Sequence, residues 1–575
     1  MQDVSRNGAP RGPSARTPRP ERRSATTTFA GVTVAVACLL GSCTGEVGDL
    51  PASPRGPVVP PGPIVPNSCD PATHLAPATP LRRLTRDEYN HTVQHLLDVT
   101  ARPADAFPAD ESLHGFAAGA SVSPLQAELY GNAATDLVAA LDVDAIAEAS
   151  CPGAALDEAC VRRVIADFGR RAYRRTVEPA QIDRLVTVFG VGVTDESPQE
   201  GLRMVLEAML QSPYFVYRVE LGAETTEPGR VALTPDELAS RLSYLVWGTM
   251  PDDELFSAAE TGALRTADDL TAHAERMLAD ERARDAMREF YIHWLELDFT
   301  GVTKDPARYP EFDDALVASM THEAERLIDH VLWDSTGTLD ELLTAPYTFV
   351  DERLAEVYGI EGVVGDEMVR VDLDPAQRAG LLMLPGVMAR HARPEQSSPV
   401  LRGVFIRERV LCQSIAPPPA DLIVVPPDPD PSLSTRQRFE QHRTDPSCSS
   451  CHRLMDPIGF GFENFDAIGA WRDTDEGFDV DATGEIIATE DANGTFDGAA
   501  EMVTRLAASS DVQSCVTRQW FRSTFGRTEA TSDTCTLDEV GAAFEESGHD
   551  LRTLVLALVR TDAFRHRTIT IEEAP

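Results

Sequence analysis

The sequence predicts a mainly α-helical protein made of several helical modules, with one small β-rich segment near residues 477–496. Three observations lead there. Helix-start signals recur along the chain. Apolar residues fall at three- and four-residue spacing over 155–190, 267–296, 313–333, 500–525 and 537–565. Alternating strand patterns are scarce, and the best of them, 477–496, is broken by Gly. With 575 residues, 42% of them hydrophobic and 25% charged, the chain is long enough for three to five domains and apolar enough to bury their cores.

At the N-terminus, Arg6, Arg11, Arg16, Arg19, Arg22 and Arg23 face only Asp3 and Glu21, and an apolar run from Phe29 to Leu40 follows. The run is shorter than the ~20 residues that span a bilayer, so it reads as an export signal. It ends in Leu40-Gly41-Ser42-Cys43, which resembles the lipobox of bacterial lipoproteins. The expectation is a signal peptide over 1–43, lipid on Cys43 and a Pro-rich tether over 44–78. Thr44, where Asp would signal inner-membrane retention, tilts the anchor toward the outer membrane, facing the periplasm or the cell surface. No later segment has 18 uninterrupted apolar residues.

Thr85, three residues before Glu88, opens a helix with Tyr89, Val93, Leu96 and Leu97 on one face. Ser197-Pro198-Gln199-Glu200 and Thr234-Pro235-Asp236-Glu237 each put a capping hydroxyl, a first-turn Pro and a reciprocal Glu in order. After the second, Leu238, Leu242 and Leu245 form an apolar face, and Gly248 is the stop. Composition breaks divide the chain into helical modules at 79–148, 151–222, 230–360, 375–475 and 490–570. A Pro-rich stretch, Pro417 to Pro431, runs inside the fourth.

The net charge of −41 argues against nucleic acid as a partner, since such binders present a basic face. Of ten cysteines, six remain after the signal, the lipid candidate and the motif below are set aside. In an exported chain they are expected to form disulfides. Cys151–Cys160 closes a short loop, Cys515–Cys535 is the next pair, and Cys69–Cys412 is left by elimination.

Cys448-Ser449-Ser450-Cys451-His452 is a C-x-x-C-H motif. Two thiols three apart share one side of a helical turn and can add to the two vinyl groups of one haem, with His452 as proximal ligand to the iron. A zinc site would need a second Cys pair, and a redox dithiol would need a βαβ setting; the sequence offers neither. One such motif means one covalent haem c. Distal-ligand candidates are Met455, His442 and His391, with Met388 and Met502 behind them; an open sixth position would mean ligand-binding chemistry. Met455 follows His452 by three, which puts it on the proximal side. Arg402 and Arg407 are candidates for the haem propionates. Asp479, Asp481, Thr483, Gly484 and Glu490 match calcium-loop positions, but no helix precedes them and Gly477 and Gly484 suit a β-turn. His322-Glu323 and His330 are eight apart, not the four of a zinc protease.

Several stretches together resemble the secreted multidomain proteins of planctomycetes and myxobacteria that end in a planctomycete cytochrome C module. They are Arg83–Asn90, Phe168–Arg175, Ser212–Phe215, Leu233–Leu255, Ser398–Gly403, His442–Phe460 and Phe521–Arg527. The resemblance covers roughly 80–570 and implies a c-type cytochrome-like helical module with haem held by Cys448, Cys451 and His452; it implies no substrate. The expected function is that of an exported, lipid-anchored monohaem cytochrome, transferring electrons to a redox partner protein. The alternatives are a haem-coupled oxidoreductase acting on an extracellular substrate, and a surface binder of a carbohydrate or other polymer with structural haem. The sequence does not decide whether the chain is an enzyme.

Overall fold

Capping decides where the helices begin. In the computed structural model, which describes residues 80–117, 121–223, 229–415, 430, 432–444 and 448–569, the Thr85 and Glu88 side chains bond reciprocally to each other's backbone N–H at the head of helix Arg86–Leu97. Thr234 and Glu237 repeat the device for helix Pro235–Trp247, which Gly248 ends at φ +63°. Ser197 caps helix Pro198–Leu210 through the Glu200 N–H. The signal peptide, Cys43, the tether and Cys69 lie outside the described residues.

The long periodic stretches break into helix pairs. Residues 155–190 become helices Glu158–Tyr173 and Pro179–Asp195, parted at Arg174 with φ +56°. Residues 267–296 become Ala267–Leu278 and Arg282–Trp294, and 500–525 become Ala499–Ala507 and Ser510–Phe525. Helix Asp314–Asp329 runs on into a π-helical turn, His330–Asp334. The protein is thus mainly α, with only two-stranded antiparallel pairs among the described residues. The β-rich segment holds Thr483–Ile486 against Gly494–Asp497. The proposed calcium loop is dismantled there: Gly484 lies inside a strand, and Asp481 accepts from the Thr483 N–H and pairs with Arg436 at 2.9 Å. No group of three or more metal-holding side chains occurs among the described residues.

Two cores form. One, around Tyr89, Phe107, Tyr130 and Phe215, packs the helices between 84 and 250 through edge-on aromatic contacts. The larger runs from Phe116 to Phe564. The last strand, His566–Ile569, pairs with Gly229–Ala232. Buried Arg241 reinforces that closure: it pairs with Glu220 and donates Nη1 to the carbonyls of Ala563 and Phe564.

Cys151 and Cys160 are disulfide-bonded. Cys515 is bonded to Cys412, not to Cys535, which corrects the expected pairing; Cys535 is itself in a disulfide. The reason is tertiary. Cys412 ends the segment after the π-helical turn Ile406–Val410, which packs on helix Ser510–Phe525 and brings the two Cα atoms to 5.4 Å. The bond closes a loop across a separation of 103 residues. Replacing both cysteines by serine is expected to cost about 4–5 kcal/mol, read as a lowered denaturation midpoint against the oxidised wild type.

Candidate functional site

The motif occupies the first turn of helix Ser449–Phe460, with Cys448 at its cap. The Cys451 and His452 N–H groups both donate to the Cys448 carbonyl at 3.2 Å, which winds the two sulfurs onto one turn. Cys448 and Cys451 carry thiols, whereas the other described cysteines are half-cystines.

Backbone-to-backbone contacts hold this helix. Helix Pro399–Phe405 crosses it so closely that a Cβ on Gly403 would lie 2.0 Å from the Met455 carbonyl oxygen. One on Gly459 would lie 1.8 Å from the Pro399 oxygen. On a further side, a Cβ on Gly484 would lie 2.1 Å from the Pro457 oxygen. Arg407 adds a clamp, donating Nε to the Leu454 carbonyl at 2.9 Å.

His452 is mostly buried, and its Nδ1 lies 2.9 and 3.0 Å from the two carboxylate oxygens of Asp456, one turn on and fully buried. Nδ1–H donating to a carboxylate is the tautomer that leaves the Nε2 lone pair for a metal, and the carboxylate makes that nitrogen more basic. The donor set therefore fits a covalently attached haem: two thiols on one turn, and an imidazole with its tautomer fixed from behind. Asp456 was absent from the sequence-derived site. Its signal was there to be read, a carboxylate four residues after a ligand histidine on one helix.

The structure brings Cys448, Cys451 and His452 together on one helical turn. Met455 is buried beneath helix Pro399–Phe405 on the same helix as His452. His391 stacks on Phe405 with centroids 4.3 Å apart and points Nε2 toward Glu296; burial pushes its pKa down to about 3. Met388 and Met502 are core residues. His442 belongs to helix Thr435–Thr444, which packs on the motif helix, and its side chain lies outside the described residues.

Arg402 and Arg407 bond to the fold around the motif helix. Fully buried Arg402 donates to the carbonyls of Phe462 and Phe465 at 2.8 Å and of Asp466 at 2.6 Å, tying down the turn after the motif helix. Arg407, 1% exposed, spends its bonds on Leu454 and on Gln413 at 2.6 Å. Both guanidiniums bond mainly to oxygens of the fold, and each keeps one buried nitrogen, Arg402 Nε and Arg407 Nη2, without a partner among the described residues.

Five family models match in sequence order, each described as a protein of unknown function. They are DUF1587 over 82–143, DUF1595 over 160–220, DUF1592 over 233–360, DUF1588 over 378–475 and DUF1585 over 493–564. The C-x-x-C-H motif falls in the fourth. No curated protein and no solved structure matches the chain.

Proposed function

Because the chain belongs to the multidomain proteins built from planctomycete cytochrome C modules, we propose that it is a monohaem c-type cytochrome that transfers electrons at the cell envelope. The observation that carries this reading is the motif turn, with thiols at Cys448 and Cys451 and the His452–Asp456 pair behind it. A covalently held haem supplies one-electron chemistry there. The chain's own part is to present two thiols for attachment, to orient His452 through Asp456 and to brace the helix through Gly403, Gly459 and Arg407. The leader and Cys43 support an exported protein anchored by lipid, with the outer membrane favoured. Covalent attachment suits such a location, where a dissociated cofactor would be lost.

The test is the optical spectrum of the chain expressed with a c-haem maturation system. A band shape of c-type haem, surviving denaturation, is expected in the wild type; its absence overturns the reading. Addition of carbon monoxide to the reduced protein then separates a six-coordinate carrier, which stays inert, from an open iron, which binds at once.

Asp456→Asn keeps the shape but removes the charge behind His452. Losing such a partner typically changes metal affinity 10–100-fold, and the oxidised state, with its greater positive charge, suffers most. The midpoint potential is expected to rise by about 60–120 mV in a redox titration.

A further inference from the structure

A hollow of about 420 Å³ is lined by residues from four of the five matched segments, and by none from 378–475. Its wall is rich in charge, and most of the charges are already engaged. Arg218 pairs with Glu88 at 2.7 Å, Asp110 with Arg83 at 2.8 Å, Asp87 with Arg102 at 3.2 Å, and Arg241 with Glu220. Arg82 donates to the carbonyls of Ser523 and Thr524, and Arg86 to those of Ala104 and Asp105. An ion entering this wall would shed its water against charges that are mostly committed; among the lining carboxylates, that of Asp298 makes no ion pair in the described residues and accepts only from the Thr300 N–H.

Two lining side chains stand apart. Glu289 and His293, one turn apart on helix Arg282–Trp294, make no side-chain hydrogen bond among the described residues; the nearest charged partner of Glu289 is His91, 3.7 Å away. Enclosure, with Asp87, Asp285 and Glu88 nearby, pushes the Glu289 pKa up to about 8, and burial lowers His91 and His293 below the usual histidine range. Both shifts favour the uncharged forms, a carboxylic acid that donates and an imidazole that donates and accepts. Beside them Phe290 stacks on Trp520 at 3.8 Å and on Phe116 at 5.4 Å, giving the hollow an apolar side; Thr85, Ser112 and Ser523 also line it.

We propose that this hollow binds a neutral, hydroxyl-rich small molecule of the sugar or polyol class, whose hydroxyl groups bond to Glu289 and His293. Neutral hydroxyls cost little to desolvate and complete both unmade bonds. Binding depends on pH. The ionisable groups around Glu289 are Asp87, Glu88 and His91 from helix Arg86–Leu97, Asp285, Arg288 and His293 from its own helix, and, elsewhere in the lining, the paired or carbonyl-bound Arg82, Arg86, Arg218 and Arg241 with Asp110, Asp298 and Tyr244; Arg288 is committed to Asp285 and Asp329. As the pH rises through about 8 Glu289 loses its donor hydrogen and its charge joins those of Asp87, Asp285 and Glu88.

The experiment is saturation-transfer NMR on the full chain with a panel of neutral mono- and disaccharides and polyols. Inorganic phosphate, followed by its phosphorus line width, and ethylammonium are the charged controls. At least one neutral compound is expected to bind at pH 7 and to weaken at least tenfold at pH 9.5. Glu289→Gln is expected to abolish that pH dependence, and Ala286→Trp, which fills the hollow, to abolish binding. Should Ala286→Trp fail to fold, the Glu289→Gln pH profile decides. Binding of phosphate or ethylammonium in place of the neutral panel, no binding by any panel member, or a pH dependence that survives Glu289→Gln overturns the proposal. The haem spectrum is a separate measurement on separate residues, so failure here leaves the cytochrome reading standing.

Discussion

Replacing both Cys448 and Cys451 by serine is expected to remove all covalently bound haem, judged by peroxidase staining of a denaturing gel, while the helix content of the protein stays unchanged. The two sulfurs are the only attachment chemistry in the motif, and a serine hydroxyl forms no thioether with a vinyl group. Both sites sit at the partly exposed head of helix Ser449–Phe460, so the exchange costs the fold little, about 0.5 kcal/mol per site. Circular dichroism of the double variant separates lost attachment from lost structure. Staining that persists in a folded double variant would exclude Cys448 and Cys451 as the attachment points.

Gly459→Val is expected to act the other way round, destroying the support and the site with it. Replacing a glycine inside a helix normally gains propensity, up to about 0.8–1.0 kcal/mol when the replacement is alanine, and less in the last turn, where Gly459 lies. Here the new Cβ would sit 1.8 Å from the Pro399 carbonyl oxygen, and backbone cannot rotate out of the way as a side chain can. The two helices must separate, and a loss of more than about 3 kcal/mol is expected in denaturant unfolding, together with reduced haem incorporation. A variant as stable as wild type would show that the crossing is looser than Gly403 and Gly459 indicate.

Local chemistry was legible in the sequence. Thr85 with Glu88 and Thr234 with Glu237 named their helix starts because the capping hydroxyl and its partner are three residues apart. The C-x-x-C-H turn was legible for the same reason, since everything it needs lies within five residues. What depended on distant segments was not. Residues 155–190 read as one periodic run because the left-handed residue at the break, Arg174, is not a Gly, and only Pro179, first in the next helix, marks the restart. Cys515 could not be matched to Cys412, because only the packing of the π-helical turn on helix Ser510–Phe525 makes them neighbours. Arg402 reads as a surface cation near a haem motif; its burial and its carbonyl partners between 462 and 466 exist only once the chain has turned back on itself. The hollow around Glu289 was invisible for the same reason: its walls are drawn from residues as far apart as Arg82 and Thr524.

The pairing of His566–Ile569 with Gly229–Ala232 also sets a clock on maturation. Strand partners separated by more than half the chain cannot meet until the later one has been synthesised, and such distant contacts close slowly. Until then Arg241 lacks the Ala563 and Phe564 carbonyls, and helix Pro235–Trp247 waits with a buried guanidinium only partly satisfied. The strand pair and the two Arg241 bonds to Ala563 and Phe564 are therefore among the last contacts the chain can make.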